Sequence, residues 1–223
     1  MRIFKLLLLS SLFLSPLVAK ETATPKKTYV YDKEVNGSVS KTTWTVEEKE
    51  KNLHIQGKGD SGETLVITSP PLNTQSFSYQ SKNKKNEYYI HREGSQLYAR
   101  LTKDDKKIQK EFNIGKDLWI QEFDFTLSPF ILSEHVTLNF QIVNPKDLSL
   151  HEMVLTKLTK GEQVEINGKT YGAVKTKMTL TGFKKMFWKA ELWFDEKTGD
   201  LIRYSANEGP NTPTSVITLF SKK

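Results

Sequence analysis

Glu122 and Asp124 are two carboxylates at i and i+2, the spacing in this sequence with the most obvious chemical use. On a strand such a pair stands about 7 Å apart, a separation also used by acid/base pairs in hydrolases. Acid/base work needs a pocket that perturbs a pKa. No pocket is legible in the sequence, so the pair reads as acids on the solvated face of a strand, and no catalytic residue is assigned. A zinc site wants histidines at short spacing or three converging ligands. His54, His91, His135 and His151 give no pair closer than the 16 positions between the last two, and His151-Glu152 lacks the second histidine of H-E-x-x-H. With no cysteine either, thiol chemistry, disulfides and Cys-ligated metals are excluded. Neither metal nor cofactor is expected.

Gly57-Lys58-Gly59-Asp60-Ser61-Gly62 matches two patterns at once. As G-x-G-x-x-G it would need a helix after it to present its dipole to a pyrophosphate. The next residues, Glu63 to Pro71, are β-branched and end in two prolines. As Gly-Asp-Ser-Gly it matches the nucleophile of chymotrypsin-like proteases, which place a whole barrel with the histidine and aspartate upstream. Only 41 residues would precede Ser61 after removal of the N-terminal 19, and His54 is the one upstream histidine. A hairpin turn explains the segment in both cases.

Two basic–aromatic stretches remain. Lys82-Asn83-Lys84-Lys85-Asn86-Glu87-Tyr88-Tyr89 has the residues to stack bases. Export argues against a nucleic-acid partner, and lysine-rich hairpin tips ordinarily keep sheet edges soluble. In Phe183-Lys184-Lys185-Met186-Phe187-Trp188-Lys189, alternation places Phe187, with Trp193 further on, opposite Trp188. An aromatic beside Lys184, Lys185 and Lys189 suits docking on an anionic membrane surface. These four, Lys184, Lys185, Phe187 and Lys189, are the surface-docking candidates.

The elements that must position these residues follow a period of two. Val136, Leu138, Phe140 and Ile142 alternate with polar residues. So do Leu97, Ala99 and Leu101, and Met186, Trp188, Ala190, Leu192 and Phe194. Trp119, Phe123, Phe125 and Leu127 read as one face of a strand, with Glu122, Asp124 and Thr126 on the other. Asn36-Gly37 and Asn167-Gly168 are type I′ hairpin signals. Glu196-Lys197-Thr198-Gly199 suits a longer turn with glycine left-handed, and Asp104-Asp105 marks another reversal. Single helical turns are predicted at Ser128–Leu132 and Asn144–Asp147. Tight hairpins exclude parallel βαβ units. The fold class is therefore all-β: a single curved antiparallel sheet forming an up-and-down barrel or half-barrel, with about a dozen short strands and little helix.

Residues 1–19 have the three parts of a signal peptide: Arg2 and Lys5, an apolar Leu6–Leu14, and a small residue at Ala19 as the cleavage point. That apolar run is shorter than the roughly 20 residues of a membrane span. Without Arg2 and Lys5 the chain keeps 31 basic against 26 acidic residues. Residues 20–27 read as a disordered leader and 28–220 as a single domain. No second apolar run approaches membrane length, so the exported chain is expected to be soluble in the periplasm or outside the cell. Its lysine-rich, cysteine-free character points to a bacterial envelope.

Val164 to Lys175, Trp193-Phe194-Asp195, Thr198 to Tyr204 and Pro213 to Leu219 resemble the C-terminal half of a family of bacterial exported β-proteins of unknown function. The resemblance covers about sixty residues and implies a curved antiparallel sheet; its motifs are those of hairpins, not of catalysis. At the level of fold the chain also resembles periplasmic lipoprotein carriers, whose half-barrels hold acyl chains. The aromatic inventory, 12 Phe, 8 Tyr and 4 Trp, adds to this an expectation of a non-enzymatic protein. Its concave face would bind a lipid or amphipathic small molecule, with Trp119, Phe123, Phe125, Phe130, Trp188 and Phe194 as lining. The alternative is an interaction module that engages an envelope protein, a membrane surface or a cell-wall polymer.

Overall fold

A computed structural model describes residues 25–186, 188–207 and 212–223, apart from the side chain of Lys184. The expected signal peptide, most of the expected leader and Phe187 lie outside the described residues. Fourteen strands follow one another as a meander. The first eight are β1 (Lys27–Val35), β2 (Ser38–Lys49), β3 (Asn52–Gly59), β4 (Gly62–Ser69), β5 (Asn73–Ser81), β6 (Asn86–Glu93), β7 (Gln96–Lys103) and β8 (Lys106–Asn113). After a 23-residue connection come β9 (Thr137–Val143), β10 (Leu150–Ile166), β11 (Lys169–Leu180), β12 (Lys189–Asp195), β13 (Leu201–Asn207) and β14 (Thr214–Lys222).

All pair antiparallel in one sheet, which runs from β8 back to β1, across to β14, and back to β9. The edges β8 and β9 are not paired with each other, so the sheet is a curved half-barrel, as the period of two predicts. There are 14 strands rather than about a dozen, and β1 begins at Lys27, the last residue of the expected leader.

Hairpin chemistry explains the meander. Asn36-Gly37 (φ 50° and 76°) and Asn167-Gly168 (φ 51° and 73°) adopt the two positive φ values of type I′ turns. Asp60-Ser61 is the hairpin tip expected within Gly57–Gly62, with Gly57 to Gly59 ending β3 and Gly62 opening β4. Glu50-Lys51 and Asp104-Asp105 take the same left-handed pair of conformations without glycine.

Among the described residues helix is confined to α1 (Ser128–Leu132), where it was expected, and to a 3-10 turn at Gly182–Met186. Asn144–Asp147 is a turn rather than a helix, held by the Asn144 carboxamide oxygen accepting from the Lys146 N–H at 2.9 Å. Two strand readings are corrected. Met186 and Trp188 precede β12 instead of starting it, because Gly182 (φ 61°) leads into the 3-10 turn. Residues 120–127 form no strand. The Glu122 carboxylate accepts the Asp124 N–H at 3.0 Å and the Thr126 hydroxyl donates to the Glu122 carbonyl, so local bonds replace a ladder.

Candidate functional site

The connection between β8 and β9, residues 114–136, fills the concave face of the half-barrel. Arg92 clamps its start, donating to the carbonyls of Asp117 (2.9 Å) and Gly115 (3.0 Å) and to Asn73 Oδ1 (3.0 Å). The chain then runs parallel to β9: Gln141 N donates to Leu118 O at 2.7 Å, Ile120 N donates to Gln141 O at 3.1 Å, and Trp119 O accepts from Thr74 N on β5 at 2.9 Å. Gln121 continues this pairing with its side chain. Its amide donates to Val143 O (2.9 Å), and its oxygen accepts from Val143 N (3.1 Å) and from the Trp119 indole (3.0 Å). Arg92→Ala removes the anchor of the insert. It is expected to cost about 2 kcal/mol, a Tm roughly 4–8 °C lower by calorimetry.

From Glu122 to His135 the hydrogen bonds and contacts that hold the segment to the sheet involve side chains, and backbone pairing resumes at Val136, whose carbonyl accepts from Lys157 N at 2.9 Å. Phe125 packs on Tyr29, Trp44 and Tyr31 at ring-centroid distances of 5.0, 5.4 and 6.1 Å. Phe123 stacks on Tyr204 at 6.0 Å. Ile120, Leu127, Phe130 and Ile131 are buried in the same cluster. The Ser128 hydroxyl donates to Gly199 O at 3.0 Å, which docks α1 on the β12–β13 hairpin. Gly199 (φ 72°) has no room for a side chain, since a Cβ would meet Ser128 at 2.9 Å.

The six lining candidates are thus accounted for. Trp119, Phe123, Phe125 and Phe130 belong to the insert, while Phe194 and Trp188 come from β12 and the residue just before it. Five of them meet in the main core; Trp119, fully buried, joins a second cluster with Tyr88, Leu97 and Leu148. Depressions of about 190 to 410 Å³ open on the outer face and the rims, and none is lined by any of the six. The concave side is filled with the chain's own residues.

The carboxylates sit inside this filling. The expectation of a solvated face for Glu122 and Asp124 is overturned, because no strand exists there to turn them outward: Asp124 is 8% exposed. Burial pushes the Glu122 carboxyl up to about 7, against the pull of the backbone N–H groups of Asp124 and Phe123. Burial raises Asp124 well above the usual carboxylate range, and the Glu122 charge adds to this. No lysine, arginine or histidine among the described residues pairs with either group.

Nearby Asp200 contrasts with them. It accepts from the Tyr29 hydroxyl (2.9 Å) and the Thr198 hydroxyl (2.6 Å) and pairs with Lys222. Tyr31, whose hydroxyl donates to Leu201 O at 2.8 Å, is kept protonated by burial and then by the charges of Asp124 and Asp200. Tyr29, Tyr31, Trp44 and Tyr204 escaped the sequence reading of the site. The alternation of β1, with Tyr29 and Tyr31 on one face, was the available signal.

Of the surface candidates, Lys185 and Lys189 are exposed. Trp193 is buried and belongs to the main core cluster; its indole donates to Glu162 at 2.9 Å, and Lys175 and Arg203 lie over its ring. Among the described residues no group of three or more potential metal ligands converges.

An open antiparallel half-barrel crossed by its own insert is the class of fold these observations define. The chain is similar in fold to the β-barrel-like protein of the domain of unknown function DUF1849 from Brucella abortus. The TM-score is 0.59 at 8% identity, over 89% of this chain and 97% of that one. This is the likeness of fold that the resemblance to an exported family of unknown function implied. Weaker similarities reach the hypothetical lipoprotein YmcC of Escherichia coli (TM-score 0.37, 10% identity, 91% and 90% of the chains). They also reach a putative outer membrane lipoprotein-sorting protein domain of Vibrio parahaemolyticus (TM-score 0.28, 11% identity, 89% and 84%). Scores this low carry no argument. No protein-family model and no curated protein matches the chain.

Proposed function

We propose that this is a non-enzymatic bacterial envelope protein whose concave face takes up an amphipathic molecule with an alkyl chain in exchange for residues 122–131. The insert is the observation that carries this reading. It lays phenylalanine, leucine and isoleucine side chains along an apolar wall, as an acyl chain would, yet makes no ladder with that wall beyond Gln121. It also brings two carboxylates without cations into the core. An element built that way is held less tightly than the strands around it.

Hydrolysis by the acid pair is disfavoured by the same geometry. None of the five depressions described above is lined by Glu122 or Asp124, so none of them offers a substrate or an attacking water a place beside the pair. Export is supported by the layout of residues 1–19.

Native mass spectrometry with palmitic acid and with a lysophospholipid, combined with amide hydrogen exchange, tests the proposal. A one-to-one adduct is expected, with faster exchange in residues 122–131 and unchanged exchange in β5 to β7. An apo mass at every ratio would overturn it, and so would an adduct that leaves the exchange of 122–131 untouched.

A further inference from the structure

We infer that one rim of the half-barrel is a docking surface for an anionic lipid bilayer. In a meander every second connection lies at the same end of the sheet. The β1–β2, β3–β4, β5–β6, β7–β8, β9–β10 and β11–β12 connections therefore share a rim. Hydrogen bonds tie several of them together, and one reaches the β9–β10 connection from the middle of β8. Lys82 N donates to Ser61 O (3.1 Å), Asp104 N to Lys85 O (3.1 Å) and Lys110 Nζ to Asp147 O (2.9 Å). Thr181 N then donates to Glu152 O at 3.1 Å, which brings the 3-10 turn alongside the start of β10.

Two stretches that are unrelated in sequence thus end on one surface. The β5–β6 tip contributes the exposed Lys82, Lys84 and Lys85, and the β11–β12 connection contributes Lys185 and Lys189. Of these only Lys82 has an ion-pair partner, Asp60 at 3.6 Å. The same rim carries the acids Glu87, Asp104, Asp105 and Asp147, which are outnumbered by these five lysines together with the exposed Lys103, Lys106, Lys107 and Lys146.

The apolar component is on the same rim. Met186 is 78% exposed, Phe183 73% and Val39, beside the β1–β2 turn, 60%; these are the three most exposed large apolar side chains among the described residues. Exposed apolar side chains at loop tips among lysines match the interface of a bilayer with anionic headgroups: the tips enter the headgroup boundary and the ammonium groups stay at its surface. A soluble acidic protein would satisfy the lysines but leave three separated apolar tips without a common pocket. Charge and geometry together favour the bilayer.

Co-sedimentation tests this, comparing phosphatidylethanolamine vesicles that contain phosphatidylglycerol with pure phosphatidylcholine vesicles. The full exported chain should bind the first and not the second, and lose binding as salt rises. The triple variant Lys84→Glu, Lys85→Glu, Lys185→Glu should bind on the order of 100-fold more weakly, at about fivefold per lysine. Phe183→Ser with Met186→Ser should lower affinity about tenfold or more. Lys51→Glu with Lys197→Glu, exposed on the opposite rim, should change nothing. All of these sites are solvent-exposed, so the variants keep the fold, which circular dichroism verifies.

Absence of vesicle binding by the wild type would overturn the inference. Equal losses from the two rims would do so too, as would retention on heparin that ignores Phe183 and Met186. The inference does not depend on displacement of the insert, so its failure would leave the alkyl-chain reading standing, and the reverse holds.

Discussion

Phe125→Ala should cost about 3–5 kcal/mol, and most of that loss should be local. Phe125 is the side chain through which the insert grips the wall: its ring touches Tyr29 and Tyr31 of β1 and Trp44 of β2 and is 7% exposed. Removing it leaves a void among aromatic rings that are fixed in strands and cannot close over it. The sheet keeps its thirteen antiparallel pairings whether or not the insert is seated. If the insert is an exchangeable filling, amides of 122–131 should exchange about 10²–10³-fold faster in the variant, the size expected from that free energy. Those of β5 to β7 should stay within about tenfold of wild type. Uptake of palmitic acid should rise, since the competitor for the wall has been weakened. Uniform acceleration over the whole sheet would mean that insert and wall unfold as one unit, and the exchange model would be lost.

The insert is also where sequence and structure part company. Alternation identified strands such as Leu97–Leu101 and Leu138–Ile142 because their apolar residues share a face that packs inward, and Asn-Gly pairs fixed two hairpins through their positive φ. Ser128-Pro129 marked α1, since proline suits the first turn of a helix. Between Trp119 and Leu127 the same alternation is present but means something else. A period of two says which side chains point the same way, not whether a neighbouring strand exists to pair with.

Here the Glu122 side chain and the Thr126 hydroxyl turn the backbone on itself, and the apolar residues find their burial against the wall. Nothing in the sequence shows that β8 and β9 stay unpaired with each other, so nothing in it shows that their connection must cross the interior. Glu50-Lys51 is illegible for a different reason. Neither residue favours a left-handed conformation, and the turn forms because β2 and β3 are already paired on both sides of it.

The carboxylates missed in this way give the second large effect. The protein should be most stable near pH 5 and lose stability as the pH rises towards 8. Unfolded Glu and Asp release their protons near pH 4. In the folded chain burial holds the Glu122 proton to about pH 7, and that of Asp124 is held higher than a carboxylate's usual range. The folded state therefore binds more protons than the unfolded state above pH 4, and stability falls with pH across that window. The slope flattens only where the folded groups ionise.

The groups facing the pair do not cancel this. Tyr29 and Tyr31 on β1 are raised and stay neutral throughout, and Asp200 is engaged with Tyr29 and Lys222. Asp147 has the opposite sign: hydrogen bonds from Ser149 lower it, so its contribution disappears only in acid and sets the lower flank of the optimum. Asp124→Asn should leave stability at pH 5 nearly unchanged and raise it at pH 8 by about 2 kcal/mol, or roughly 4–8 °C in Tm. Glu122→Gln should do the same more weakly, because its carbonyl can still accept the Asp124 N–H. Exchange of amides 122–131 should follow the same curve, faster at pH 8 than at pH 5 after correction for intrinsic rates, and with a shallower slope in Asp124→Asn, where only Glu122 still titrates. Parallel pH profiles for wild type and Asp124→Asn would show that the pair titrates as it does in water, and that the insert carries no buried charge to expel it.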